Sequence, residues 1–206
     1  MSQSPLFRPA SHFPSGSTGG KTRIVLHVGC GRHNPQKLHP EFRGPDWREL
    51  RLDIDPAANP DIVATMTAMD GVESMSVDAV WSSHSLEHLY PHEVPVALGE
   101  FHRVLGPGGF VLITVPDLVS IARYIAEDRL DEPIYVSPAG PIAALDILFG
   151  CRALLKRNRT HMAHRTGFSP RTLESSLDSA GFKDITVRRD TRFNLWAVGY
   201  KREVEG

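Results

Sequence analysis

Arg23-Ile24-Val25-Leu26-His27-Val28-Gly29-Cys30-Gly31, residues 23–31, is the stretch that decides the fold class. A compact aliphatic and β-branched run halts at a glycine, as a strand buried on both faces does before a tight turn. Glycines at 29 and 31 permit the turn and let backbone amides approach a ligand closely. By itself a Gly-x-Gly turn is weak, because short glycine turns are common. The third glycine of a Gly-x-Gly-x-x-Gly fingerprint is missing, since Asn34 stands there. That disfavours a dinucleotide site, which uses the third glycine for close helix packing.

Strands and helices alternate outward from this turn. Leu50–Ile54, Ile62–Ala64 and Val77–Ser82 read as strands two to four. Val94, Leu98, Phe101, Val104 and Leu105 fall at helical spacing, and Gly106-Pro107-Gly108-Gly109 stops that helix. Phe110–Val115 is the strongest strand, ended by Pro116. Leu118–Asp128 reads as a helix, Asp131–Gly140 as a loop with three turn signals, Pro141–Lys156 as an apolar helix and Asn158–Gly167 as a polar loop. Ser169-Pro170 opens a last helix that runs to Ala180 and ends at Gly181, with serine as cap and proline in the first turn. Ile185–Arg189 and Leu195–Lys201 close the chain as two successive strands joined by a short link. The alternation predicts a doubly wound α/β domain, a mostly parallel sheet with helices on both faces, and the terminal hairpin makes one late strand antiparallel. Residues 1–22 are expected to form a flexible Ser-, Pro- and Gly-rich tail, residues 23–206 a single domain, and residues 117–166 a lid or insert.

The bulk properties exclude several function classes. A chain of 206 residues with a formal net charge of -1 suits one domain with a sizeable core and lacks the basic stripe of a nucleic-acid binder. Arg188-Arg189 and the basic spots between Arg152 and Arg159 read as solvated surface. No apolar run approaches the roughly 18 residues that would span a bilayer, and no signal-peptide core is visible. Two cysteines, Cys30 and Cys151, form no Cys-x-x-Cys pair, which fits a reduced, cytoplasmic setting.

Three features fall at the carboxyl ends of strands, where open α/β sheets bind ligands. The first is the loop Gly29-Cys30-Gly31. The second is Asp53 at the end of strand two, placed to accept hydrogen bonds from ribose hydroxyls. Asp55 is its rival, although Asp55-Pro56 also reads as a turn opener. The third is Leu105-Gly106-Pro107-Gly108-Gly109 feeding strand five.

With those residues in place, the chain resembles the class I S-adenosylmethionine (SAM) dependent methyltransferases, especially the methyltransferase type 11 group. The segments that carry the resemblance are Val25–Gly31, Leu52-Asp53-Ile54-Asp55, Asp78–Leu89 and Arg103–Phe110, in family order, with a later echo in Phe168-Ser169 to Ala180-Gly181-Phe182. The resemblance implies a seven-stranded sheet in the order 3-2-1-4-5-7-6 with strand seven antiparallel, and SAM as cofactor, released as S-adenosylhomocysteine. It further implies that Gly29, Cys30 and Gly31 approach the methionine part of SAM, Asp53 holds the ribose and Ile54 flanks the adenine. Thr65 and Met66 stand where the family usually has an adenine-binding Asp, so the Met66 backbone is the expected substitute. Ser82 and Ser83 follow strand four near the methionine end. The lysine common before Pro-Gly-Gly in the family is Gly106 here.

If the acceptor is a hydroxyl or an amine, a general base helps remove its proton, so one is sought near the pocket. His84 and His164 are the candidates, and Asp117, directly after strand five, either faces the acceptor or caps the next helix. His84 and His88 share a face on a helical turn, but no His-Glu-x-x-His motif and no third ligand are evident, so no metal is expected. The apolar stretch Ile142, Ala143, Leu145, Ile147, Leu148 and Phe149 reads as core, with an acceptor pocket or a dimer contact as alternatives. The expected acceptor is a small molecule, and the expected state is a monomer or homodimer without nucleic acid or a membrane span. An NAD-type Rossmann oxidoreductase and a non-catalytic SAM-binding module are the competing readings.

Overall fold

The computed structural model describes residues 22–137 and 140–202. The expected flexible tail, apart from Thr22, lies outside the described residues. The strands are β1 (Arg23–Val28), β2 (Trp47–Asp53), β3 (Ile62–Val63), β4 (Val77–Ser83), β5 (Leu105–Pro116), β6 (Pro133–Ser137), β7 (Gly140–Ala143), β8 (Lys183–Arg189) and β9 (Asn194–Tyr200). The helices are α1 (Val94–Val104), α2 (Leu118–Ala126), α3 (Ala144–Phe149), α4 (Arg152–Leu155) and α5 (Pro170–Ser179).

Seven strands form one sheet in the order β3-β2-β1-β4-β5-β9-β8. β1, β2, β3, β4 and β5 pair in parallel, and β9 runs antiparallel to both β5 and β8. Leaving out the β6–β7 hairpin, this is the expected 3-2-1-4-5-7-6 topology. Its switch point lies between β1 and β4, where the chain leaves in opposite directions and a crevice opens at the strands' carboxyl ends.

Period-two alternation divides the core between the two faces of the sheet. Leu26, Val28, Val80, Val111 and Ile113 pack under α1 and α5 against Leu98, Phe101, Leu173 and Leu177. Val25, Ala79, Phe110, Leu112 and Val198 point the other way and are covered by Leu38, Phe42 and Trp81. Phe42 belongs to a 3-10 turn at Pro40–Phe42 in the β1–β2 connection, so among the described residues this connection contains no α-helix. Burying a Phe101-sized side chain contributes about 1.5–3 kcal/mol, which is why the α1 stripe holds its register.

Local signals set the element ends. Ser169 Oγ accepts from Thr172 N at 3.2 Å, with Pro170 at the first turn of α5. Asp117 caps α2 by accepting from Val119 N at 3.1 Å. Gly106–Gly109 does stop α1, but it continues as the start of β5, with a register shift between Val77 and Ala79 on the partner strand.

The insert departs from expectation. Asp131–Gly140, expected as a loop, supplies β6 and the first residue of β7, which pairs with it as an antiparallel hairpin. Pro133 and Gly140, which read as turn signals, are the first residues of the two strands, and proline is tolerated at that position. Pro141–Lys156, expected as one helix, is β7 followed by α3 and α4. Gly150 breaks the run with φ of 95°. Ile142, Ala144 and Ile147 form a small core with Ile121 of α2, so this apolar stretch is largely packing, while Phe149 is exposed.

Candidate functional site

A cavity of about 840 Å³ opens at the carboxyl ends of β1, β2 and β4. That volume lies within the span of about 300–1,000 Å³ usual for small-molecule sites. Gly29, Gly31, Asp53, Ile54, Met66, Ser83 and His84 all line it. Cys30 and Ser82 do not: both side chains are buried, and Ser82 Oγ has no hydrogen-bond partner. His164 and Asp117 are also absent from its lining.

The glycine loop is built for backbone approach. Gly29 and Gly31 have φ of 68° and 60°, a region that L side chains rarely adopt. A Cβ on Gly29 would collide with the hydroxyl of Ser85. Arg51 pins the outer side of the loop by donating to Gly31 O at 2.6 Å and to Asn59 O at 2.7 Å.

Asp53 and Asp55 both line the cavity but differ in their partners. Asp53 Oδ2 accepts from Gly31 N at 2.7 Å, and Oδ1 accepts from Asp55 N at 2.9 Å. The carboxylate therefore braces the loop and still faces the cavity. Asp55 instead caps the 3-10 turn at Pro56–Ala58, accepting from Ala57 N at 2.9 Å. Ile54 is 61 % exposed and lines the cavity. The cradle of positive-φ glycines, a carboxylate and an apolar shelf fits SAM: Gly29 and Gly31 would approach its amino-acid end, Asp53 its ribose and Ile54 its adenine.

His84 follows β4 in a left-handed conformation, φ 50°, with its amide donating to Thr114 O at 2.8 Å. Its Nδ1 donates to Glu87 Oε1 at 3.2 Å, which leaves Nε2 free toward the cavity. Desolvation by the surrounding protein disfavours charge on this ring, whose side chain is still 46 % exposed, but the hydrogen bond and charge of Glu87, with the charge of Asp190, prevail and raise its pKa. Glu87 is buried. Desolvation opposes its ionisation, yet His84, His88 and His164 together hold its pKa below the ordinary value. Burial lowers the pKa of His164, whose Nδ1 donates to Ile147 O at 2.7 Å. Asp117 is buried and committed: besides capping α2 it accepts from Ser120 Oγ and pairs with Arg189 at 2.9 Å.

Several lining residues have no signal in the sequence. Lys37, His39 and Arg43 come from the β1–β2 connection, and Arg159, His161, Met162 and Arg165 from the insert. Trp81 stacks on Trp196 with ring centroids 5.9 Å apart and donates to Lys37 O at 3.1 Å. Only the fold brings these walls together: Trp81 of β4 and Trp196 of β9 meet across the sheet, and single loop residues such as Arg43 carry no periodic mark.

Residues 26–113 match a family model described as a methyltransferase domain. The chain is 26 % identical over 178 residues to a malonyl-[acyl-carrier protein] O-methyltransferase of Dechloromonas aromatica. That match covers 81 % of this chain and 65 % of the relative, just under two thirds of its length. Among solved structures, a SAM-dependent methyltransferase from Archaeoglobus fulgidus superposes with a TM-score of 0.56 at 14 % identity, over 88 % of this chain and 87 % of that one. A Burkholderia thailandensis 1,6-didemethyltoxoflavin-N1-methyltransferase, solved with bound 1,6-didemethyltoxoflavin and S-adenosylhomocysteine, gives 0.53 at 18 % identity, over 89 % and 73 %. At such identities the superpositions establish the fold, while the domain match runs from β1 into β5, the elements that build the glycine loop, Asp53 and His84. The fold is the one these SAM-dependent methyltransferase structures share, and the part of the chain that builds the cradle, less than half of its length, matches a methyltransferase domain.

Proposed function

We propose that the protein methylates an oxygen or nitrogen of a small molecule bound in the 840 Å³ cavity, with His84 as the general base. The observation that carries this reading is the Glu87–His84 pair at the cavity wall. Glu87 fixes the ring so that Nδ1 keeps its proton and Nε2 presents a lone pair. A neutral His84 then takes the proton from the acceptor's hydroxyl or amine as its oxygen or nitrogen gains the methyl group. SAM supplies the methyl group on a sulfonium, so the protein's remaining tasks are alignment and exclusion of water.

His84 is preferred to His164 and Asp117 because neither of those lines the cavity. Gly29 and Gly31 would bind the amino-acid end through their backbone, Asp53 the ribose, and Ile54 and Met66 the adenine. Ser83 lines the cavity beside His84, whereas Ser82 and Cys30 would act only through backbone. The insert, residues 117–166, serves as the lid over the acceptor. The relative named for O-methylation and the structural neighbour named for N1-methylation support the choice of acceptor atoms. Unpaired Cys30 and Cys151 suit a reducing cytoplasmic setting, and no helix among the described residues is long and apolar enough to cross a membrane.

The test uses SAM with an isotopically labelled methyl group and a panel of phenols, alcohols and amines, reading the methyl position by NMR. Label on oxygen or nitrogen, lost in His84→Asn, is the expected result. Transfer only to carbon or sulfur, or undiminished turnover in His84→Asn, would refute the assignment.

A further inference from the structure

Behind His84 lies a second, smaller cavity of about 150 Å³, lined among others by Glu87, His88, Cys151 and His164. A carboxylate oxygen of Glu87 and one ring nitrogen each of His88 and His164 lie within 4.8 Å of one another. The two rings converge with centroids 5.0 Å apart. We propose that Glu87, His88 and His164 bind a single divalent first-row transition ion of the zinc type.

Three observations carry this. First, each histidine spends Nδ1 on a backbone carbonyl: His88 donates to Ala163 O at 3.2 Å and His164 to Ile147 O at 2.7 Å. A carbonyl only accepts, so Nδ1 carries the proton in both rings, and Nε2 of each is left with its lone pair. A backbone carbonyl behind the ring is the usual outer support of a histidine ligand. Second, Glu87 is 1 % exposed. Its Oε1 accepts from His84, while Oε2 has no hydrogen-bond partner. A buried carboxylate oxygen beside two imidazole lone pairs gathers acceptors with no donor, an arrangement that a cation satisfies. Third, the ligands are held by backbone: Arg165 N and Thr166 N donate to Glu87 O at 2.8 and 3.2 Å, and His164 N donates to Phe149 O at 3.1 Å.

Two imidazoles and one carboxylate form a ligand set that suits zinc and leaves one position open. Tetrahedral bonds of about 2.0–2.1 Å hold ligand atoms roughly 3.3 Å apart, so the three atoms must close by at most about 1.5 Å, a movement within reach of side-chain rotation. His84, His88 and Met162 border both cavities. The ion would therefore clamp the insert to the end of β4, beside the proposed base.

The test strips the full chain with chelator and then titrates Zn²⁺ by calorimetry and Co²⁺ by visible absorption. One ion per chain, tetrahedral cobalt bands and a raised melting temperature are expected. Glu87→Gln and His164→Gln should each weaken Zn²⁺ at least about 100-fold, while the exposed-site controls His33→Ala and His92→Ala bind as the wild type does. Should Glu87→Gln fail to fold, His164→Gln in the insert decides. Absence of one-to-one binding by the wild type, or equal affinity in the ligand variants, overturns the proposal.

Discussion

Replacing Asp53 separates its two tasks, bracing the loop and holding the cofactor. Asp53→Ala removes the acceptor of Gly31 N at 2.7 Å and of Asp55 N at 2.9 Å. In the proposed complex it also removes the acceptor of two ribose hydroxyls. A hydrogen bond to a charged group contributes about 1.5–3 kcal/mol, so two amount to about 3–6 kcal/mol. At 1.4 kcal/mol per decade, SAM affinity should fall roughly 10²- to 10⁴-fold. Asp55→Ala removes only the cap on Ala57 N; that should cost about 0.5–2 kcal/mol of stability and leave affinity within a few-fold. Calorimetric titration with S-adenosylhomocysteine, run beside thermal melts of the free proteins, keeps binding and stability apart. Equal affinity losses in the two variants would refute the assignment of the ribose to Asp53.

His84 has its pKa raised, chiefly against burial, by Glu87 and Asp190. It must be neutral to accept a proton, so in chelator-treated, metal-free protein the acid limb of kcat should lie above the ordinary histidine value of about 6.5. His84→Asn should abolish that limb and slow turnover about 10²- to 10⁴-fold. Gly29→Ala places a Cβ against Ser85 in a left-handed backbone; it should destabilise by about 1–3 kcal/mol, and Ser85→Ala in the same chain should recover part of the loss. Asp146 caps the insert, accepting from Ala143 N and Arg152 N at 3.0 Å each. Burial opposes its ionisation, but the bonds from Arg152 and the two amides lower its pKa. Its contribution is therefore present above about pH 4 and is lost as pH falls through its depressed folded value. Asp146→Ala should cost about 1–3 kcal/mol by leaving two amides unpaired, read by urea unfolding at neutral pH, and should flatten the loss of stability in acid.

The parallel strands were legible because burial on both faces writes continuous apolar runs such as Val25–Val28 and Phe110–Val115. Caps were legible too, since Ser169-Pro170 and Asp55-Pro56 state their own local chemistry. Asp117 carried two readings, and the cap on α2 together with the Arg189 pair settles which the fold adopts. The β6–β7 hairpin was not legible. Pro133 and Gly140 punctuate its strands at their starts, where they resemble the turns of a loop. The break in the apolar run near Gly150 has a tertiary cause, because a Cβ there would strike Met162 O. The convergence of His164 on Glu87 and His88 depends on long-range backbone bonds from Arg165 and Thr166, which leave no periodic trace. The sequence pairs His88 with His84, whereas the fold brings His164 of the insert beside Glu87 and His88.

SAM binding in the cavity at the ends of β1, β2 and β4 underlies every role proposed for these residues. Thermal melts with SAM, S-adenosylhomocysteine and NAD test it most directly. A ligand at 100 times its Kd stabilises by about 2.7 kcal/mol. At about 2–4 °C per kcal/mol for a chain of this size, SAM and S-adenosylhomocysteine should raise the melting temperature by roughly 5–11 °C, with the shift largely lost in Asp53→Ala and absent with NAD. A shift with NAD and none with SAM would contradict the account.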